Sequence, residues 1–150
     1  MRAVIQRVSE ASVKIEGTVT SSIGKGLMIL LGVETADHRA DIDWLCGKIV
    51  GLRIFSDANG KMNEDIKAVS GEVLFISQFT LHASYKKGNR PSFLKAARPE
   101  IAIPLYKEFI EVLSSMLGKP VPSGIFGANM EVSLVNDGPV TIVMDSRNRE

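Results

Sequence analysis

The apolar run at residues 27–33 constrains the fold of this chain more than any other segment. It carries no charge and no helical period, so we expect a strand that other elements cover on both faces. The run is far shorter than the roughly 20 residues that a membrane-spanning helix needs. With 150 residues in the chain, we expect one domain, residues 1–150, built around this strand.

Weaker patterns surround this strand. Helical spacing of apolar residues predicts one helix near residues 42–52, capped by Thr35 or Asp37, and a second at residues 99–117. Alternation and short apolar runs predict strands at residues 2–8, 11–16, 18–23, 53–55, 73–76, 121–126, 129–135 and 140–144, with a break at Ser9-Glu10. Strands and helices follow no regular βαβ order. The predicted fold class is therefore α+β, with mixed, mostly antiparallel β-sheets and two main helices packed on them.

The chain has one cysteine and two histidines, which cannot form a zinc-type ligand cluster. Cys46 lies in an apolar helical stretch and is expected to be a buried thiol in a reducing compartment, so we expect a cytoplasmic protein with no membrane contact. His38 and His82 stand alone, which favours solvated surface positions for both, although His82 follows the 77–81 segment directly and is also a candidate for the rim of a site there. No metal ion is expected.

The sequence lacks phosphate-loop and dinucleotide signatures, a Ser/His/Asp spacing and paired catalytic carboxylates. An enzyme with this composition is expected to work by positioning and by main-chain donors, without a strong side-chain base. Two segments suit such a role, because polar groups at the ends of rigid strands often form active sites.

The first is the Thr80 segment (residues 77–81), which follows a buried strand pattern. It consists of Ser77, Gln78, Phe79, Thr80 and Leu81. Local turn hydrogen bonds would explain it as well as function would. In the functional interpretation, the N–H groups of Phe79 and Thr80 bind a developing oxyanion and the Thr80 hydroxyl binds substrate.

The second is the Gly-Pro segment (residues 136–141), which precedes another strand pattern. Asn-Asp-Gly alone is explained by a hairpin turn. Pro139 directly after Gly138 is unusual, since proline cannot donate to a sheet ladder. A cis peptide bond here would direct two main-chain carbonyls into a pocket and form a rigid surface, because main chain has no side-chain rotamers. The sequence alone does not decide between the cis and trans isomers.

The third feature is the basic segment (residues 86–98), which contains five cations and no carboxylate although the net charge of the chain is only +1. A solvated loop explains such a run, and so does a surface that binds the phosphates of a nucleic acid. Its cations are Lys86, Lys87, Arg90, Lys95 and Arg98.

Six segments in order along the whole chain resemble the D-aminoacyl-tRNA deacylase family. They are residues 2–8 (RAVIQRV), 30–33 (LLGV), 77–81 (SQFTL), 89–93 (NRPSF), 126–130 (FGANM) and 136–141 (NDGPVT). The resemblance implies a three-layer α/β/β homodimer with active sites at the interface. It also implies hydrolysis of the ester of D-aminoacyl-tRNA and of mischarged glycyl-tRNA, rejection of L-aminoacyl esters, and no cofactor.

The same resemblance assigns roles to individual residues. The Thr80 segment forms the catalytic site, with Ser77, Gln78, Phe79 and Thr80, and the ribose 2′-hydroxyl assists the reaction. A cis Gly138-Pro139 pair reaches into the partner's site and meets the substrate amino group, Arg7 supports it and Met130 lines the pocket. Lys86, Lys87 and Arg90 become candidates for tRNA contacts, and no DNA partner is expected. The alternative left open is a catalytically silent tRNA-binding dimer with the same fold.

Overall fold

Strand β1 (Arg2–Ile15) is the centre of the main sheet in the computed structural model, which describes residues 1–150. On one side β1 pairs with the long edge strand β7 (Glu131–Asp145). On the other side it pairs with β2 (Thr18–Ile23) and then with β3 (Gly26–Gly32). These three pairings are antiparallel.

The apolar run predicted to be a covered strand is β3, and β6 (Glu72–Ser77) pairs with it in parallel. Strands β4 (Phe55–Ser56) and β5 (Met62–Glu64) form a separate antiparallel pair. The sheets are therefore mixed and mostly antiparallel, which confirms the predicted α+β class.

Helices α1 (Arg39–Val50) and α2 (Pro99–Leu117) cover one face of the sheet. The ring of Phe75 stacks on Phe109 with centroids 4.9 Å apart, and Tyr106 donates its hydroxyl to the Phe75 carbonyl at 3.2 Å. These contacts fix the position of β6 along α2, and therefore the position of Ser77 at the end of the strand. The strands curl on the opposite face around a second, smaller core of Val8, Ala11, Val13, Ile23, Met28, Leu74 and Ile76. Neither helix is both long enough and apolar enough to cross a membrane.

Three strand predictions were wrong. β1 continues through Ser9-Glu10, where the register against β7 shifts and the ladder does not end. Residues 121–126 form no strand: Phe75 donates to Pro122 and accepts from Gly124, both at 3.0 Å, so this stretch only covers the edge of β6. The strands expected at residues 129–135 and 140–144 are one strand, β7.

The predicted caps of α1 were also wrong, because the N-cap residue is His38. Its main-chain N–H donates to Asp41 at 2.9 Å. The carboxylate of Asp37 is instead buried, accepting the Glu34 N–H at 2.7 Å and pairing with Arg147 at 3.2 Å. The bounds predicted for α2 match the structure, and Gly118 ends that helix in the left-handed conformation.

Candidate functional site

The Thr80 segment begins where β6 ends. The N–H of Gln78 donates to the Leu31 carbonyl at 2.7 Å, which continues the main-chain pairing with β3 by one residue, and a 3-10 helix follows (Phe79–His82). The first bond of that helix runs from the Leu81 N–H to the Gln78 carbonyl at 3.2 Å. The N–H groups of Phe79 and Thr80 therefore have no partner within the helix. Both residues are exposed, which makes these two N–H groups candidate donors.

The Thr80 hydroxyl has one side-chain partner, the amide of Gln78, which donates to it. No carboxylate, imidazole or amine is hydrogen-bonded to this hydroxyl. A threonine nucleophile needs an adjacent base to become reactive. The side chain of Thr80 is thus hydrogen-bonded to Gln78 and has no adjacent base.

Arg2 and Gly32 hold the 3-10 helix in place, and neither was assigned a role from the sequence. Arg2 donates from Nη1 to the Leu81 carbonyl at 3.0 Å, and its Nε pairs with Asp145 at 2.8 Å. A Cβ on Gly32 would lie 3.0 Å from the Gln78 carbonyl oxygen and 3.0 Å from the Leu81 Cβ. Gly32 therefore lets the helix pack directly on the end of β3. A glycine inside an otherwise buried strand is the signal that points to such close approach.

The surface position predicted for His82 was wrong, because the residue is only 2% exposed. It packs against Gly32, where its ring replaces the volume of the missing side chain. Neither ring nitrogen has a hydrogen-bond partner, and Nδ1 lies 3.6 Å from the Glu34 carboxylate. Burial lowers the pKa of His82, which favours the neutral ring. His38 is exposed, as predicted.

The Gly-Pro segment is a large bulge in β7. Gln6 pairs with Thr141 and Val8 with Asn136, so four residues of β7 face the single residue Arg7. The side-chain amide of Asn136 closes the base of the bulge, donating to the Arg7 carbonyl at 3.0 Å and to the Val140 carbonyl at 2.9 Å. β1 and β7 are paired on both sides of the bulge. The bulge therefore projects from a regular, hydrogen-bonded pair of strands.

Arg7 supports the bulge from below. Its Nε donates to the Asp137 carbonyl at 3.1 Å and its Nη1 to the Ile54 carbonyl at 2.5 Å. Gly138 has φ +129°, and a Cβ there would lie 2.8 Å from Val140 Cγ2 and 2.9 Å from Arg7 Nη2. The Gly138-Pro139 peptide bond is cis, and both residues are exposed. The position admits only glycine without local movement.

The two segments contact different parts of β1. Arg2 contacts the Thr80 segment and Arg7 contacts the Gly-Pro segment, and these arginines are five residues apart on the extended strand β1. At about 3.4 Å per residue, their Cα atoms are separated by about 17 Å. Met130 lies nearer the first segment, because it packs with Ile76 in the smaller core directly before Ser77.

The basic segment lies beside the Thr80 segment. Phe79 and Phe93 meet edge to face with centroids 5.1 Å apart. Main-chain hydrogen bonds of 2.7 and 2.8 Å between Ser84 and Ser92 close the intervening loop. The side chains of Lys86, Lys87 and Arg90 are exposed on this loop and form no ion pair. The structure thus places unpaired positive charge next to the candidate main-chain donors.

Comparison with known proteins gives consistent matches over the whole chain. The family model described as D-Tyr-tRNA(Tyr) deacylase matches residues 4–145. Curated proteins named D-aminoacyl-tRNA deacylase match all 150 residues over their full length, at 63% identity in Bacteroides thetaiotaomicron and 59% in Flavobacterium johnsoniae.

Two solved structures share the fold. One is titled c-Myc DNA Unwinding Element Binding Protein and superposes with a TM-score of 0.91 at 39% identity, covering 97% of this chain and 98% of its own. The other is a probable eukaryotic D-amino acid tRNA deacylase, with a TM-score of 0.81 at 16% identity, covering 95% and 97%. At that lower identity the second match bears on the fold alone.

Proposed function

Because the chain belongs to the D-Tyr-tRNA(Tyr) deacylase family and is a hydrolase of D-aminoacyl-tRNA, we propose that it acts as a chiral proofreading enzyme. It releases the free D-amino acid and tRNA, accepts mischarged glycyl-tRNA as a second substrate, and rejects L-aminoacyl esters. The observation that carries the proposal is the construction of both candidate segments from main chain, with exposed N–H donors in one and an exposed glycine bulge in the other.

The Phe79 and Thr80 N–H groups stabilise the negative charge that develops on the ester carbonyl oxygen. Water adds to the carbonyl carbon, the bond to the ribose oxygen breaks, and the ribose oxygen leaves with a proton. The neighbouring ribose hydroxyl assists the proton transfers, which supplies the acid–base function that Thr80 lacks. Fixed donors in a site of this kind are worth roughly a hundredfold or more in rate.

The Gly-Pro segment provides the stereochemical selection. The carbonyls of Gly138 and Pro139 contact the α-amino group of the substrate, and the bulge leaves no room for a side chain of L configuration. A rigid main-chain wall discriminates well, since it has no rotamers that could move aside. Glycine has no side chain and passes the same wall. Arg7 and Asn136, which brace the bulge, support this assignment.

A homodimer completes the site, with the Gly-Pro segment of one protomer in the Thr80 site of its partner. The separation of about 17 Å along β1 between the two arginines that contact these segments supports this arrangement. The exposure of β7 supports it as well: this strand lies at a sheet edge and carries Val135 at 50% and Val143 at 70% exposure. Long apolar edge strands are ready sites for association with another chain.

Lys86, Lys87 and Arg90 bind the phosphates of the tRNA. The test is the salt dependence of tRNA affinity after replacing the three residues with glutamine. We expect the slope of log K against log salt to fall by about 0.7–0.9 for each phosphate that the variant no longer neutralises. The control replaces Lys61, Lys67 and Lys107, which are exposed elsewhere and unpaired. An unchanged slope in the first variant would show that these three residues belong to a solvated loop and do not contact tRNA phosphates.

The function itself is tested with D-tyrosyl-tRNA and L-tyrosyl-tRNA as separate substrates. We expect release of tyrosine from the D-ester and protection of the L-ester. Equal rates contradict the stereochemical selection. Binding of tRNA without release from either ester would establish the alternative, a catalytically silent tRNA-binding dimer.

A further inference from the structure

A cavity of about 370 Å³ opens between the start of β1, the 3-10 helix and the basic segment. Its lining includes Arg2, Lys86 and Lys95 and contains no carboxylate. His82, which is almost fully buried, and the exposed Tyr85 also contribute to the wall. Arg2 is paired with Asp145, so Lys86 and Lys95 supply the uncompensated positive charge, and an anion between them would be attracted to both.

The polar groups of this cavity are unusually free. Lys86 and Lys95 form no ion pair, and the Nη2 of Arg2 has no hydrogen-bond partner, while its Nε and Nη1 are used by Asp145 and Leu81. The ring nitrogens of His82 lack partners too, but they are buried behind the wall and not exposed to the cavity. The nearest carboxylates are occupied, since Asp145 pairs with Arg2 and Glu34 with Arg147 at 2.9 Å. Positive charge and unused donors therefore dominate the space.

The cavity lies one helical turn from the candidate reaction centre. Ala83, in the cavity wall, donates its N–H to the Thr80 carbonyl at 3.0 Å. Arg2 lies in the same wall and contacts Leu81, the residue after Thr80. A nucleotide strand whose terminal ribose lies at Thr80 can therefore extend along this wall and place a neighbouring phosphate against it.

We propose that the cavity formed by Arg2, Lys86, Lys95 and His82 binds a backbone phosphate at the 3′ end of the tRNA, next to the nucleotide that carries the ester. This rests on the proposed function. Arginine and lysine are the side chains that recognise phosphate in proteins, through charge-assisted hydrogen bonds. The contact fixes the position of the terminal ribose relative to the donors of Phe79 and Thr80, and so orients the ester before reaction.

The first test compares two substrates in Lys95→Gln. D-Tyrosyl-tRNA carries the phosphates, and D-tyrosyl-adenosine carries the same ester without them. We expect kcat/KM to fall about tenfold more for the tRNA ester than for the adenosine ester, which is the low end for a hydrogen bond to a charged group. Lys107→Gln, an exposed lysine on α2, is the matched control. Equal losses on the two esters would overturn the assignment to tRNA phosphate.

The second test does not depend on activity. Inorganic phosphate is titrated into the protein while the ring signals of its two histidines are followed by NMR. We expect a saturable shift of His82 that Lys95→Gln weakens, with His38, exposed at the start of α1, as the internal reference. No shift of His82, or a shift that the substitution leaves intact, would refute an anion site in the cavity.

The two tests separate the possible failures. If neither ester is hydrolysed, the proposed function fails, while the phosphate titration still decides the cavity. If phosphate binds but the two esters respond equally to Lys95→Gln, the cavity serves free phosphate, and the proposal for tRNA is wrong.

Discussion

The Nε of Arg7 donates a hydrogen bond of 3.1 Å to the main-chain carbonyl of Asp137. This contact joins the middle of β1 to the bulge that presents Gly138 and Pro139. The same guanidinium reaches the Ile54 carbonyl at 2.5 Å, so one buried side chain fixes the bulge against two separate parts of the chain. The proposed stereochemical selection depends on these Arg7 hydrogen bonds, because they hold Gly138 and Pro139 in position.

Arg7→Lys is expected to loosen the bulge. A lysine has a single charged nitrogen and cannot reproduce a planar fork that donates in two directions. Leaving the buried Ile54 carbonyl unpaired costs about 1–3 kcal/mol. We expect a lower midpoint in urea unfolding and slower hydrolysis of the D-ester. Arg53→Lys is the control, because Arg53 also donates to a carbonyl, that of Asn63, but is exposed. Equal effects of the two substitutions would argue against a special role for Arg7.

Gly138→Ala is expected to reduce hydrolysis of the D-ester by about a hundredfold, the usual result of displacing a positioning group by about 1 Å. The φ of +129° is unfavourable for alanine, and the new Cβ would approach Val140 and Arg7 within 3 Å. Activity is measured beside the thermal unfolding midpoint. Gly118→Ala tests backbone strain alone, since Gly118 also has a positive φ but has open space around it. Full activity in Gly138→Ala would refute the main-chain wall.

Phe79→Pro removes one proposed oxyanion donor, because proline has no N–H, at the first position of a helix where proline is tolerated. Phe79→Ala is the matched control, since it loses the same ring but keeps the N–H. We expect the proline variant to be slower than the alanine variant by about 100- to 1000-fold in kcat. Equal rates would show that the N–H of residue 79 takes no part.

Thr80→Ala is expected to cost less activity than Gly138→Ala, since no base activates the Thr80 hydroxyl. The measurement is single-turnover hydrolysis of the D-ester, with folding checked by circular dichroism. Complete loss of activity in a well-folded Thr80→Ala protein would favour a threonine nucleophile in place of the main-chain mechanism.

His82 predicts a pH dependence of stability. Burial lowers its pKa in the folded state, with the charge of Arg2 acting in the same direction and Glu34 opposing it. Below the usual histidine value of about 6.5, the unfolded chain therefore binds a proton that the folded chain does not. Stability should fall as pH drops through about 6.5 towards the folded pKa, and be level above it.

The check is the thermal midpoint at pH 7.5 and at pH 5.5. His82→Phe, which keeps a ring of similar shape without a titrating group, should reduce the loss of stability at the lower pH. His38→Gln, at the exposed start of α1, should retain it. A loss of the same size in all three proteins would assign the dependence to other groups.

The elements that the sequence predicted well are those whose pattern reflects local burial. The run at residues 27–33 became the covered strand β3, and the stripe containing Tyr106, Phe109 and Leu113 became the buried side of α2. The sequence also predicted that Gly138 and Thr80 lie at the ends of strands. The merging of two strands into β7 was not, because the continuity of that strand comes from the unbroken partner β1 across the bulge.

Contacts between segments that are distant in sequence could not be predicted from the local sequence pattern either. His82 looked like an isolated surface histidine, and only the packing of the 3-10 helix on Gly32 buries it. Arg2 looked like a strand-end residue, and its contact with Leu81 spans 79 residues of sequence. The choice between a turn and an active site for either segment depended on such long-range contacts and could not be made from local spacing.

The most direct test of the central claim, that main chain from two protomers forms one site, mixes two inactive variants. Phe79→Pro keeps an intact Gly-Pro segment, and Gly138→Val keeps an intact Thr80 segment. Unfolded together and refolded, half of the dimers combine one of each, and every such dimer has one complete site. We expect about a quarter of the wild-type activity on D-tyrosyl-tRNA to return. No return of activity, with dimers of both kinds present by native mass spectrometry, would contradict the account.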